Sequence, residues 1–255
     1  MLGLCCPSAP SLLRGHTGSD VDFLQGMLAH AQQDQYNEVC GLVVARGKKV
    51  RLIQAENQAT NTTITFDLDP AAWLQVQEGE EVIGIYHSHP SGTPEPSLAD
   101  LTSCEISELP WHIVTPQGGY RRIEPSGFRA PYLRRPYVYG VHDCYAIVRD
   151  WYNWEWGLNL PNFHRDEEWW KKGQDLFMDN FEDCGFVEVV GGEAKEGDAF
   201  LMQVYSEVPN HVAIYMGGGL ILHHVRDRLS SKDPWGGYWR ESMTNHLRHR
   251  TRLGA

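Results

Sequence analysis

The chain has 255 residues, 42% of them hydrophobic and 22% charged, which is ordinary for a globular protein and excludes a disordered or fibrous one. Its 22 Lys and Arg against 33 Asp and Glu leave a net charge of −11. A surface that acidic repels phosphate backbones, so no nucleic-acid partner is expected. No apolar run approaches the roughly 20 residues of a bilayer span.

Residues 1–18 lack both a charged n-region and an apolar h-region, so they read as a disordered extension rather than a secretory signal. The cysteines at 5, 6, 40, 104, 144 and 184 show no paired spacing. Reduced thiols in a protein made in the cytosol are therefore expected.

The next hundred residues alternate helix and strand signals and read as an α/β domain over 19–124. Ser19 and Asp22 predict the cap of a helix running to about residue 33. Strands are expected at 40–45 and 50–55 about a turn at 46–49, and again at 82–87 and 111–115. Asp69-Pro70 opens a second helix, with Pro at its first position. Residues 118–136 are rich in Pro and Arg. Part of that stretch has strand character at Tyr120 and Ile123, and 125–136 reads as a linker.

In the second half, 137–255, Asp143 predicts the cap of a helix from Cys144 towards Trp156. Another helix is expected over 166–183. Short strands follow at 186–190, 199–204, 211–216 and 220–224, and 240–252 reads as a solvated basic end. Helices first and strands afterwards predict an α+β unit.

Two constellations carry chemistry. His87 and His89 lie two apart at a strand end, so both imidazoles share one face. Ser97 and Asp100 lie three apart on what should be a short helix. Two imidazoles and a carboxylate leave the fourth position of a tetrahedral zinc open, as a catalytic site requires. Glu38, just before a strand, is a candidate base for water at such a site. The spacing of Glu38, His87-Ser88-His89-Pro90, Ser97 and Asp100 resembles the JAMM (MPN-plus) metallopeptidase signature. The resemblance implies one Zn2+ on His87, His89 and Asp100, Glu38 as general base and acid, Ser97 as a donor to the oxyanion, and cleavage of an amide or isopeptide bond. The link from Asp100 to the next strand is short, and no ubiquitin-holding insertion is expected.

The second constellation is centred on Cys144, at the first turn of its helix, where the helix dipole and backbone N–H groups favour a thiolate. Its own N–H is placed for an oxyanion hole. His211 opens a strand and could serve as base, and His223 lies on the next strand across Gly217-Gly218-Gly219. This chain order, with Gly197-Asp198 before a strand, resembles the NlpC family of papain-like cell-wall peptidases. The resemblance implies Cys144 as nucleophile, His211 as base, His223 as the polar third residue and Tyr137 lining the site, with peptidoglycan stem peptides as substrate. Tyr145-Ala146 depart from the small residues usual after the nucleophile. His223-His224 is doubled, and strand alternation lets only one of the pair face the site, His223 by spacing.

A JAMM unit followed by an NlpC unit resembles the tail tip assembly proteins of lambda-like siphophages, a likeness that extends to PNFHRDEEWWKKGQ, SEVPNHVAIY and LHHV. It implies other phage tail tip proteins as partners, synthesis in the host cytoplasm and a place at the tail tip during wall penetration. The stretch 162–170 is explained by neither catalytic pattern. It could cover a cleft, dock a tail partner or be a solvated helix start over an aromatic core stripe. Three functions stay open: a two-site hydrolase, a docking factor with vestigial or partner-gated activity, and a host-directed deubiquitinase-like protease.

Overall fold

The computed structural model describes residues 18–254, with side chains from residue 23 onward. The extension expected over 1–18 lies outside the described residues but for Gly18, as do the Ser19–Asp22 cap side chains and the thiols of Cys5 and Cys6. Among the described residues no helix is long and apolar enough to cross a membrane. The chain gathers into two compact units whose main division falls between Gly127 and Phe128.

The first unit opens with helix α1 (Gly18–Gln33) and a hairpin of β1 (Cys40–Arg46) and β2 (Lys49–Ala55). The strands run closer to the turn than 46–49 suggests, because Arg46 pairs with Lys49 across Gly47, whose φ is +60°. Asp69-Pro70 starts a 3-10 helix, Pro70–Gln75, rather than an α-helix, with the Asp69 carboxylate accepting from Ala71 N. β3 (Glu81–Ser88), α2 (Leu98–Ser107), β4 (Trp111–Val114) and β5 (Tyr120–Ile123) follow. They complete a sheet of order β2-β1-β3-β4-β5, in which only β3 and β4 are parallel, joined through α2.

Strand alternation divides the side chains between two faces. Val43, Tyr86 and Val114 pack with Met27 and Ala31 of α1, while Leu42, Val44, Ile85 and Trp111 pack with Cys104 of α2. His87, two residues past Ile85, therefore belongs to the α2 face.

The stretch expected as a linker is anchored at its end. Arg135 is fully buried, donates to the carbonyls of Ala130 and Pro131 and meets Asp150 at 2.6 Å. A buried guanidinium needs such partners, and they tie the Pro-rich segment to the second unit.

In that unit α3 (Cys144–Trp156) ends at Gly157 in the left-handed conformation. The single helix expected over 166–183 is instead a 3-10 helix, Trp169–Lys172, and a short α4 (Leu176–Asn180). Positive φ at Glu168 and Gly173 breaks the run on either side of the 3-10 turn. Strands β6 (Phe186–Glu188), β7 (Ala199–Met202), β8 (His211–Tyr215) and β9 (Leu220–His223) are followed by β10 (Ser231–Pro234), α5 (Gly237–Glu241) and β11 (Met243–His249).

The antiparallel order is β10-β9-β8-β7-β11-β6. The basic end read as solvated thus supplies β11, an interior strand. Arg248 and His246 are satisfied there by the buried Asp198, at 2.7 and 2.6 Å. Ile147, Val148, Trp151 and Tyr152 of α3 cover one face of this sheet against Leu201, Val212, Ile214 and Leu222. Phe200, Met202, Ala213 and Ile221 turn to the other face, against Trp235 and Trp239.

Candidate active sites

In the first unit β3 delivers both histidines to its C-terminal end. His87 is fully buried, stacked on Phe66 at 4.6 Å and edge-on to Trp111 at 5.5 Å. Its Nε2 lies 3.0 Å from His89 Nε2. The other nitrogen of His89, Nδ1, is 3.0 Å from the Thr93 carbonyl. A carbonyl can only accept, so Nδ1 carries the proton and Nε2 presents its lone pair.

Asp100 comes from the first turn of α2. Its Oδ2 accepts from Ser97 N at 2.7 Å, and Ser97 Oγ accepts from Asp100 N at 3.1 Å. This reciprocal pair caps α2 and fixes the carboxylate. Because Ser97 Oγ is an acceptor there, its O–H remains available to donate elsewhere.

Ligand atoms of His87, His89 and Asp100 all lie within 4.8 Å of one another. Two nitrogens and one oxygen at such separations suit zinc, whose tetrahedral ligand atoms stand about 3.3 Å apart. The donor set fits that metal. Cys40 pairs with His87 across the sheet, so Glu38, two residues before it, falls on the same face. Glu38 is buried, its N–H bound to the Thr62 carbonyl and its own carbonyl to Asn57.

The second unit holds a cavity of about 280 Å³ lined by Cys144, His211, Tyr137 and His224, with Arg165 and Trp170 among its other walls. Asp143 caps α3 through Ala146 N at 2.8 Å. Its second oxygen accepts from Gly140 N and from the buried Arg165 guanidinium, the latter at 3.0 Å. The segment around residue 165 is thus part of the site, where it locks the helix start that presents Cys144. Neither thiol nor base has the electrostatics expected of a helix-dipole thiolate. Burial, followed by the Asp143 charge, pushes the Cys144 thiol up to about 12. Burial and two neighbouring histidines hold His211 well below the ordinary imidazole value.

His211 Nε2 lies 3.0 Å from His223 Nδ1, and the Asp233 carboxylate lies 3.2 Å from His223 Nε2. Trp239 packs against both imidazoles. Of the doubled histidines, His223 stands behind His211, while His224 faces the cavity beside Tyr137 at a ring distance of 5.1 Å. Sequence reading left Asp233 unmentioned, since nothing local marks it. It reaches the site only because Ser231–Pro234 pair with β9.

Residues 20–126 match the prokaryotic homologs of the JAB domain, and residues 134–248 match the NlpC/P60 family. Over 230 residues the chain is 34% identical to tail tip assembly protein K of Escherichia phage N15, an alignment that covers 89% of this chain and 94% of the phage protein. The chain belongs to the tail tip assembly protein K family. The K protein of Escherichia phage lambda is 38% identical over 185 residues, covering 72% of this chain and 89% of its own length. A shorter likeness, 33% identity over 89 residues, is to the desampylase of Pyrococcus furiosus and covers 33% of this chain and 64% of that protein. The two domain matches fall in the order expected for the K family.

Proposed function

We propose that this tail tip assembly protein is a two-site hydrolase, its thiol domain cutting amide bonds in peptidoglycan stem peptides and its JAB-type domain cutting an amide or isopeptide bond. The observation that carries the first half is a nucleophile and a base opening on one cavity, with the base backed by a polar chain. The Asp233 carboxylate, at ion-pair distance from His223 Nε2, favours the proton on that nitrogen, which leaves His223 Nδ1 to accept from His211 Nε2–H. His211 Nδ1 then holds the free lone pair that takes the thiol proton. A neutral thiol and a neutral imidazole make this a general-base attack, with the proton moving as the sulfur reaches the carbonyl. The Cys144 N–H, at the helix start, donates to the developing oxyanion.

In the JAB-type domain His87, His89 and Asp100 would hold the metal. Bound zinc supplies Lewis acidity for amide hydrolysis. Glu38 takes a proton from the attacking water and returns it to the leaving amine, and the Ser97 hydroxyl donates to the oxyanion.

Mass spectrometry of Gram-negative muropeptides tests this reading after digestion by wild type, Cys144→Ala and His87→Ala. New stem-peptide fragments absent only from the Cys144→Ala digest are expected. Intact muropeptides from every digest would leave assembly, with partner-gated or vestigial catalysis, as the better account.

A further inference from the structure

The segment 56–69 joins β2 to the 3-10 helix Pro70–Gln75 and closes on itself, with Asn57 bridged to Leu68 and Gln58 N donating to the Asp67 carbonyl at 2.8 Å. The Asn57 side chain uses its whole hydrogen-bonding capacity there. Its Nδ2 donates to the carbonyls of Glu38 at 2.8 Å and Thr65 at 3.1 Å. Its Oδ1 accepts from the N–H groups of Ala59 and Asp67, each at 3.0 Å. Two donors and two lone pairs are all that an amide has. Turning the amide over would set its oxygen against two carbonyls, so only this orientation is satisfied. Thr65 and Asp67 flank Phe66, whose ring stacks on the His87 imidazole at 4.6 Å and 24° from parallel, and lies 5.3 Å from Trp111. One side chain thus grips the backbone of Glu38 and both neighbours of the ring that covers His87.

Resting on the zinc reading of this site, we propose that Asn57 is a positioning residue for the metal centre, acting through Phe66 to hold the His87 imidazole in its ligating orientation, with the Glu38 carbonyl as its fixed point. Phe66 against one face of the imidazole and Trp111 edge-on at 5.5 Å together oppose rotation of the ring. A ligand already held in orientation gives up less conformational freedom when a metal arrives. Neither Asn57 nor Phe66 offers a ligand to the cluster, so the effect of each is on geometry alone.

Zinc affinity tests this, read by competition with a chromogenic chelator on full-length wild type, Asn57→Ala, Phe66→Leu and the double variant. Urea unfolding of the chelator-treated proteins runs alongside. Asn57→Ala and Phe66→Leu are each expected to bind zinc roughly tenfold more weakly than wild type. Because Asn57 acts through Phe66, the double variant should bind no more weakly than Asn57→Ala. Asn57→Asp keeps both acceptor bonds but turns an oxygen on the carbonyls of Glu38 and Thr65, and should match Asn57→Ala. If Asn57→Ala does not fold, Asn57→Asp and Phe66→Leu carry the same comparison. Wild-type zinc affinity in the Asn57 variants, even at reduced stability, would make Asn57 a loop anchor only and overturn the proposal. Strictly additive losses in the double variant would overturn it as well. A wild type that binds no zinc removes the metallopeptidase reading and this proposal with it.

Discussion

The Nε2 of His211 lies 3.0 Å from Nδ1 of His223, and neither nitrogen can serve as base while the two share a proton. In the proposed mechanism this directs the working lone pair to His211 Nδ1. His223→Ala removes the acceptor that holds this tautomer and is expected to lower kcat on the order of 10²-fold with little change in KM. Asp233→Asn, one step further back, is expected to cost roughly tenfold. Steady-state kinetics on a fluorogenic stem peptide measures both. An unchanged kcat in His223→Ala would remove the polar chain from catalysis.

Thiol chemistry separates access from ionisation. Burial raises Cys40 and Cys144 alike to about 12 and Cys104 to about 11. Thiolate fraction alone therefore gives Cys144 no advantage. It is nevertheless the one described thiol that is not fully buried, and it opens on the cavity with His211. Limiting iodoacetamide at pH 7 should modify Cys144 at least tenfold faster than Cys40 or Cys184, and His211→Ala should erase most of that difference. Peptide mapping by mass spectrometry gives the ratios. Equal labelling of the three would make Cys144 a structural thiol.

The proposed zinc site predicts one zinc per chain after purification without chelator, and loss of it in His87→Ala and Asp100→Ala. Zinc at about 100 times its Kd is expected to stabilise the folded state by about 2.7 kcal/mol, read as a rise in the Tm of chelator-treated protein. Elemental analysis finding no metal in wild type would remove the JAB-type catalytic half of the proposal.

His112 gives the first domain an acid limit. Burial, with the Arg122 charge as the smaller cause, lowers its pKa to about 4. The unfolded chain takes up that proton near pH 6.5 and the folded chain only near pH 4, so unfolding binds protons across this window. Stability from this group is complete above pH 6.5 and falls as the pH drops towards 4, by about 3 kcal/mol in all. Urea melts at pH 7 and pH 4.5 should show the loss in wild type and a smaller one in His112→Phe. An identical loss in both would assign the acid sensitivity to other groups.

Gly197 tests the packing under β7. Its φ is +85°, and a Cβ there would stand 1.9 Å from the Trp156 ring. Its carbonyl accepts from the Tyr152 hydroxyl. Gly197→Ala is expected to destabilise the second domain by at least about 2 kcal/mol, visible in chemical denaturation. A neutral effect would mean that the helix and strand can separate at no cost.

Much of the fold and site was legible in local pattern. The alternation of apolar residues marked most strands, Asp143 announced the start of α3, and fixed spacings singled out His87, His89, Asp100, Cys144 and His211. The misreadings arose where backbone conformation and burial, rather than residue periodicity, set the outcome. A helical pattern over 166–183 yielded to positive φ at Glu168 and Gly173 and to the burial of Trp169. The thiolate expected at Cys144 yielded to desolvation, which depends on what covers the sulfur and not on its place in a helix.

By itself the sequence determined which groups were available for chemistry, because ligand and nucleophile spacing follow from strand and helix periods that the chain carries locally. Only the tertiary structure decided what surrounds them. β11 enters between β7 and β6 and hides a basic segment against Asp198, β10 brings Asp233 to His223, and Arg165 reaches back to Asp143. None of these pairings is announced by a local pattern, and burial makes each obligatory, since a charge taken out of water must find its partner wherever the fold places one.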